Sequence, residues 1–224
     1  MMRINMDFSQ RVVIETDAQD WVETRANGVR RRMLDRDGAE SGRATTVVSF
    51  AAESYFPGHG HDGGEEFLVL EGIFSDESGD YGPGMYVRNP VGSAHVPHTK
   101  EGCIIFVKLW QMDAADQDFV RIDTNLDEGW QAGAVDGLSV RPLHQYGDER
   151  VSLVRWRAGV HYPAHDHPGG EEVLVVAGSL QDENGSYPKG TWLRLPPGSE
   201  HAPFSTTGCT LFVKSGHLSG ELGA

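Results

Sequence analysis

His59-Gly60-His61-Asp62-Gly63-Gly64-Glu65 is written a second time as His165-Asp166-His167-Pro168-Gly169-Gly170-Glu171, with every residue shifted by 106 positions and no gap. Side chains at i and i+2 of a strand point to one face, so each His-x-His pair can grip a single ion. The Gly-Gly step lets the chain turn tightly enough to bring the carboxylate round to the same point. A fourth donor comes from the far side of a hairpin, in Gly84-x5-Pro90-x-Gly92-x2-His95 and again in Gly190-x5-Pro196-x-Gly198-x2-His201. A lone His-x-His arises easily by chance on a polar surface. A four-residue set doubled at fixed spacing does not, and it predicts two divalent metal ions per chain. The expected ligands are His59, His61, Glu65 and His95 at one site, and His165, His167, Glu171 and His201 at the other.

The repeat reaches well beyond these ligands. Ala52–Trp110 and Ala158–Gly216 share 27 identities in 59 ungapped positions, which makes duplication of a whole domain the simplest account. Upstream the match continues at an offset of 109, through Trp21/Trp130, Gly28/Gly137 and Leu34/Leu143, so the first copy carries three extra residues, expected in the polar loop Asp35–Arg43. The predicted domains are residues 1–115 and 116–224, parted by the acidic stretch Gln111–Asp118. Within each, short apolar alternations are punctuated by Gly, Pro, Asp and Asn, which predicts an all-β fold, a small barrel or sandwich, in each half. Ala18–Ala26 is the one stretch expected to form a turn or two of helix.

Composition narrows the function classes. The formal charge is −14, a field that repels phosphate backbones and anionic lipid, so nucleic acid and membranes are not expected partners. Arg30-Arg31-Arg32 reads as the solvated face of a strand from Val29 to Leu34. No apolar segment has signal-peptide or membrane-span length, which predicts a cytoplasmic location. Cys103 and Cys209 occupy equivalent apolar strands and read as small buried hydrophobes.

The spacing resembles the cupin pattern, in which G-x5-H-x-H-x3-E-x6-G is followed by G-x5-P-x-G-x2-H. The second half fits throughout, from Gly159 to Gly178 and from Gly190 to His201. In the first, Glu53 replaces the leading glycine, and Thr99 and Ser205 stand where an asparagine often closes the second motif. The strings Gly-Gly-Glu-Glu-x-Leu-Val, Pro-x-Gly-Ser-x-His-x-Pro and Gly-Cys-x-x-Phe-Val-Lys are similar to the cupin domain of ChrR-type anti-sigma factors. That resemblance implies two tandem cupin domains, that is, double-stranded β-helix (jelly-roll) barrels. It also implies a sensor or regulatory module for stress or oxidants, with a regulatory protein as partner. A homodimer paired through exposed sheet faces is compatible with it. The zinc-binding module that holds the sigma factor needs a His-x3-Cys-x2-Cys element, and no cysteine precedes Cys103. The expectation is therefore the sensing part, doubled, without its output arm. Similar cupins also serve as dioxygenases that cleave ketones and diketones.

Two functional classes follow from how the ion completes its coordination. Zinc held tetrahedrally by four protein donors gives a closed site, suited to structure or sensing. Iron(II), manganese or nickel in six-coordination leaves two positions for a small-molecule ligand or dioxygen, the arrangement of an iron(II)-dependent dioxygenase. Zinc in a sensor leads by resemblance; no catalytic residue beyond the ligands is evident. Tyr55 and His161, in step with the His pairs, and Phe67 and Val173, in step with the glutamates, are the expected pocket residues. Glu66/Glu172, Arg88/Arg194 and Lys108/Lys214 read first as ion pairs on the barrel exterior, and second as buried groups that orient a ligand strand.

Overall fold

The structure, a computed structural model, describes residues 2–38 and 42–218. Strands of two to twelve residues make up nearly all of its regular structure, with one 3-10 turn at Thr16–Ala18. Among the described residues no helix is long and apolar enough to cross a membrane. The helical turns expected over Ala18–Ala26 are absent: Val22–Glu23 is instead a short strand paired with Arg30 and Arg31. Two residues with β-favouring or neutral side chains gain more from a ladder than from a helix too short to nucleate.

The chain forms two compact units, one of Met1–Met6 and Gln19–Leu126, the other of Asp7–Ala18 and Asp127–Ala224. In the first, the main sheet runs Arg3–Ile4, Val29–Asp37, Ala44–Phe50, Cys103–Leu109, Glu65–Gly72, Met85–Asn89 and Val120–Asp123, all antiparallel. In the second it runs Gln131–Ala132, Leu138–Tyr146, Glu149–Trp156, Cys209–Ser215, Glu171–Asp182, Thr191–Leu195 and Val12–Glu15. The leading strand of each repeat thus pairs within the other repeat's sheet, Val12 opposite Arg194 and Val120 opposite Arg88. The repeat boundary is a boundary of sequence; packing groups the strands differently. The longer connection of the first copy lies between Asp37 and Ala44, against Gly147 and Asp148 in the second. Asp35–Asp37, expected in that loop, extend the strand, and residues 39–41 lie outside the described ones.

Each unit packs one face of its main sheet into an apolar core. In the first, Val48, Phe50, Phe67, Phe74, Val87 and Ile105 cluster together, and Val173, Val175, Leu180, Leu193 and Leu211 do so in the second. A buried side chain of this kind contributes roughly 1.5–3 kcal/mol. Cys103 and Cys209 belong to these cores, and burial pushes their thiols up to about 12 and about 11. They are inert hydrophobes rather than thiolates.

The opposite face differs from the exterior ion pairs expected there. Glu66 lies directly across from both Arg88 and Lys108, and none of the three is more than 1% exposed. Arg88 donates to Glu66 (3.0 Å) and to Asp116, Tyr86 donates to Glu66 (2.9 Å), and Lys108 donates to Thr45 (2.8 Å). Glu172, Arg194 and Lys214 are equally buried. Charges desolvated this far persist only with dense pairing, so the residue behind each ligand glutamate is anchored on its own side of the strand. Arg30 stays exposed and Arg32 lies over Trp21 at 4.1 Å, whereas Arg31 turns to the inner face.

Candidate metal centre

Strand His59–His61 pairs with Ser93–His95, placing His95 directly opposite His59. Glu65 opens the next strand, four residues after His61, and Gly64 at φ +75° makes the bend between them. One donor atom from each of His59, His61, Glu65 and His95 lies within 4.8 Å of all the others. His61 Nε2 and His95 Nε2 approach Glu65 Oε2 at 3.4 and 3.6 Å, too long for good hydrogen bonds. Both nitrogens are buried without a hydrogen-bond partner among the described residues. Buried acceptors converging on one point beside a carboxylate fit a divalent cation, which would be held by these four side chains.

The imidazoles are oriented from behind. His59 Nδ1 lies 2.9 Å from the Pro57 carbonyl, and His95 Nδ1 lies 3.1 Å from Asp76 Oδ2. Donation there leaves each Nε2 a lone pair directed at the cluster. Asp76 also accepts from Tyr81 Oη (3.1 Å) and the Ser78 amide (2.8 Å). Burial raises its carboxyl, but these donors and His95 outweigh it and hold it below the usual range. Burial likewise lowers His61, with the Glu65 carboxylate opposing. For His95 the same desolvation is overcome by Asp76 and Glu65, and its ring is raised. Glu65 accepts from Asn89 Nδ2 (2.9 Å), and Arg121 donates to Asn89 Oδ1 (2.6 Å). Asp76, Asn89 and Arg121 were not foreseen as site residues. Asp76 and Tyr81 did carry a signal, since both recur in the second repeat as Asp182 and Tyr187.

The second centre is a looser copy. His165 faces His201 across a strand pair, and with His167 they form a three-histidine cluster. Glu171 is not drawn into it; its carboxylate lies 3.6 Å from Nδ1 of His167. Opposite Glu171 stands Leu195 where Glu65 faces Asn89, so the amide that aims the first carboxylate is missing. Although 16% of its side chain stays exposed, burial pushes the Glu171 carboxyl up to about 8. Burial and the neighbouring His201 and His165 rings push His167 down to about 4. His201 Nδ1 is 3.6 Å from Asp182, a longer approach than His95 makes to Asp76.

All four clustered residues, His59, His61, Glu65 and His95, line a cavity of about 280 Å³, with Phe56, Phe74 and Trp110 among its walls. A cavity of about 250 Å³ adjoins His165, Glu171 and His201 in the second unit. Val173, in step with Glu171, is among its lining residues. Phe67 lies instead in the core against Phe74, and Tyr55 is 59% exposed. His161 is also exposed, stacked on Phe204 at 5.0 Å. Residues 56–58 and 162–164 leave the strand conformation, so alternation does not carry across them. Their aromatic members Phe56 and Tyr162 face the ligands instead, 5.0 Å from His59 and 4.8 Å from His165.

This architecture recurs in known proteins. A putative dioxygenase from Nostoc punctiforme superposes with a TM-score of 0.79 at 18% identity, covering 95% of this chain and 85% of that one. Protein Ylba from E. coli gives 0.72 at 15% identity over 96% and 94%. The bacterial pirin YhhW from E. coli, in complex with nickel(II), gives 0.67 at 11% over 92% and 98%. At such identities the likeness is one of fold. No curated protein matches significantly in sequence. The ChrR Cupin-like domain profile matches residues 9–113 and again 118–219, nearly the whole chain. Two tandem all-β domains, each with the motif histidines gathered at one point, agree with that match, and the chain belongs to the ChrR cupin-like family.

Proposed function

We propose that the protein is a divalent-metal bicupin whose first centre acts on a small chelating molecule, as an iron(II)-dependent dioxygenase of a ketone or diketone. The observation that carries this reading is the cavity onto which His59, His61, Glu65 and His95 all open. Three neutral imidazoles and one carboxylate leave a divalent ion with net charge near +1, and a six-coordinate ion would keep positions free on the cavity side. When bound, the ion supplies Lewis acidity and a meeting point for the two reactants. The chain's own part is positional. Asp76 holds the His95 ring, Asn89 aims Glu65, and Phe56 and Phe74 give the reacting region apolar walls.

A sensor or regulatory role is the second reading, favoured by the ChrR family match. Oxygen uptake separates the two. Protein loaded with iron(II) and offered 2,4-pentanedione should consume oxygen, and His95→Ala should stop it. If uptake is absent with iron and a panel of diketones, while peroxide or singlet oxygen releases zinc, the sensor reading replaces the enzymatic one.

A further inference from the structure

The two cavities differ in one respect that the ligand motifs do not explain. Arg31, Arg36 and Thr46 line the first, whereas among the described residues no arginine or lysine lines the second. Arg31 corresponds to Val140 and Arg36 to Gln145 at the 109-residue offset, and Thr46 to Ser152 at 106. Of these three counterparts only Val140 lines the second cavity. Arg150 lines a separate groove of that unit, which also includes His165, His167 and Glu171.

Strand geometry shows why both arginines reach one wall. Val29 and Arg31 alternate inward, and the pairing with Ala44–Phe50 shifts between Met33 and Asp35. That bulge inserts one residue, so Arg36, five positions after Arg31, returns to the inner face while Asp35 points outward to Thr45. Thr46, opposite Met33, sits between the rows held by Arg31 and Arg36. The residue is 2% exposed, and Oγ1 has no hydrogen-bond partner among the described residues. A buried hydroxyl without a partner among the described residues, on a cavity wall shared with two arginines, suits an anionic group.

We propose that the first cavity selects a small carboxylate, with the metal holding the chelating end of the molecule and Arg31, Arg36 and Thr46 holding its carboxylate end. This rests on the reading of the first centre as a small-molecule site and names the substrate class. The test uses 4,6-dioxoheptanoate, whose diketone chelates and whose carboxylate lies apart from it, against its uncharged methyl ester. Binding is measured by calorimetry on cobalt(II)-loaded full-length protein. The acid should bind at least about tenfold more tightly than the ester, a preference of the size expected for a charge-assisted pair. Arg31→Val with Arg36→Gln, the residues of the second repeat, should erase that preference while the ester binds as before. Thr46→Val should reduce it in part, and it retains the fold if the paired variant does not. Equal binding of acid and ester to the loaded wild type would overturn the carboxylate proposal and leave the metal reading standing. The same acid preference on metal-free protein would keep the carboxylate site and remove the metal's part. Absence of binding by both probes would overturn both.

Discussion

Asp76 illustrates how much of a candidate metal site depends on a residue outside the donor set. Its carboxylate is the partner of His95 Nδ1, and Tyr81 and Ser78 hold it in turn. Asp76→Asn keeps the shape but allows the ring to rotate or change tautomer. The expected result is about a tenfold or greater loss of metal affinity at the first centre, with the second unchanged. Competition with a graded set of chelators measures this, and equal weakening of both centres would point to a general loss of structure. A second prediction concerns Glu171 in metal-free protein. Its folded carboxyl keeps a proton up to about 8, while the unfolded chain releases it near ~4.3. The stability it contributes is full below that lower value and is lost as pH rises through 8. His167 acts in the other direction: burial holds its ring neutral down to about 4, so stability falls as pH drops from ~6.5 towards 4. Glu171→Gln should therefore gain stability over wild type on the alkaline side only. Urea melts of the two proteins near pH 5 and near pH 8.5, chosen from this linkage argument, test it. A constant difference across that range would show that Glu171 titrates as it does in water. The ligand histidines were readable from spacing because the i, i+2 rule is local. Asn89 and Arg121 were not, because Asn89 meets Glu65 only through sheet pairing, and Arg121 meets Asn89 from a strand far along the chain.

The Glu-x6-Gly segment of each repeat shows what an element demands of its sequence. Gly72 and Gly178 have φ of +68° and +71°, and a Cβ there would come within 2.0 Å of the Gly102 or Gly208 carbonyl oxygen. Backbone contacts of that kind cannot be relieved by moving a side chain. Gly72→Ala and Gly178→Ala should each cost about 2 kcal/mol or more, read as a lowered midpoint in thermal or urea unfolding. An unchanged midpoint would mean that the hairpin opens at little cost. The β character of the segments was legible from alternation and turn residues: Cys103 and Cys209, read as members of equivalent apolar strands, open Cys103–Leu109 and Cys209–Ser215. The pocket residues show where that logic stops. Tyr55 and His161 keep even spacing to the histidines, but the intervening residues break the pleat, and parity is lost with it.

At the scale of the whole molecule, duplication predicts two ions per chain, one per unit, of unequal affinity. His59→Ala should remove the tighter-bound ion and His165→Ala the weaker, each leaving the other in place. Elemental analysis after dialysis gives the count, and loss of both ions from either variant would contradict separate sites. Sequence alone determined the duplication, the β character and the two sets of histidines, because each depends on identity and short-range periodicity. Only the tertiary structure decided that Glu66, Arg88 and Lys108 are buried, because burial depends on what covers a sheet face. It likewise decided that the leading strands Val12–Glu15 and Val120–Asp123 are exchanged between repeats, since equivalent strands can pair equally well with either copy's edge. The unlike centres have the same origin. Glu65 and Glu171 sit in the same motif, but one faces Asn89 and the other Leu195. A ligand motif specifies which donors are present, whereas their convergence on one point is set by neighbours that only the folded sheet brings alongside.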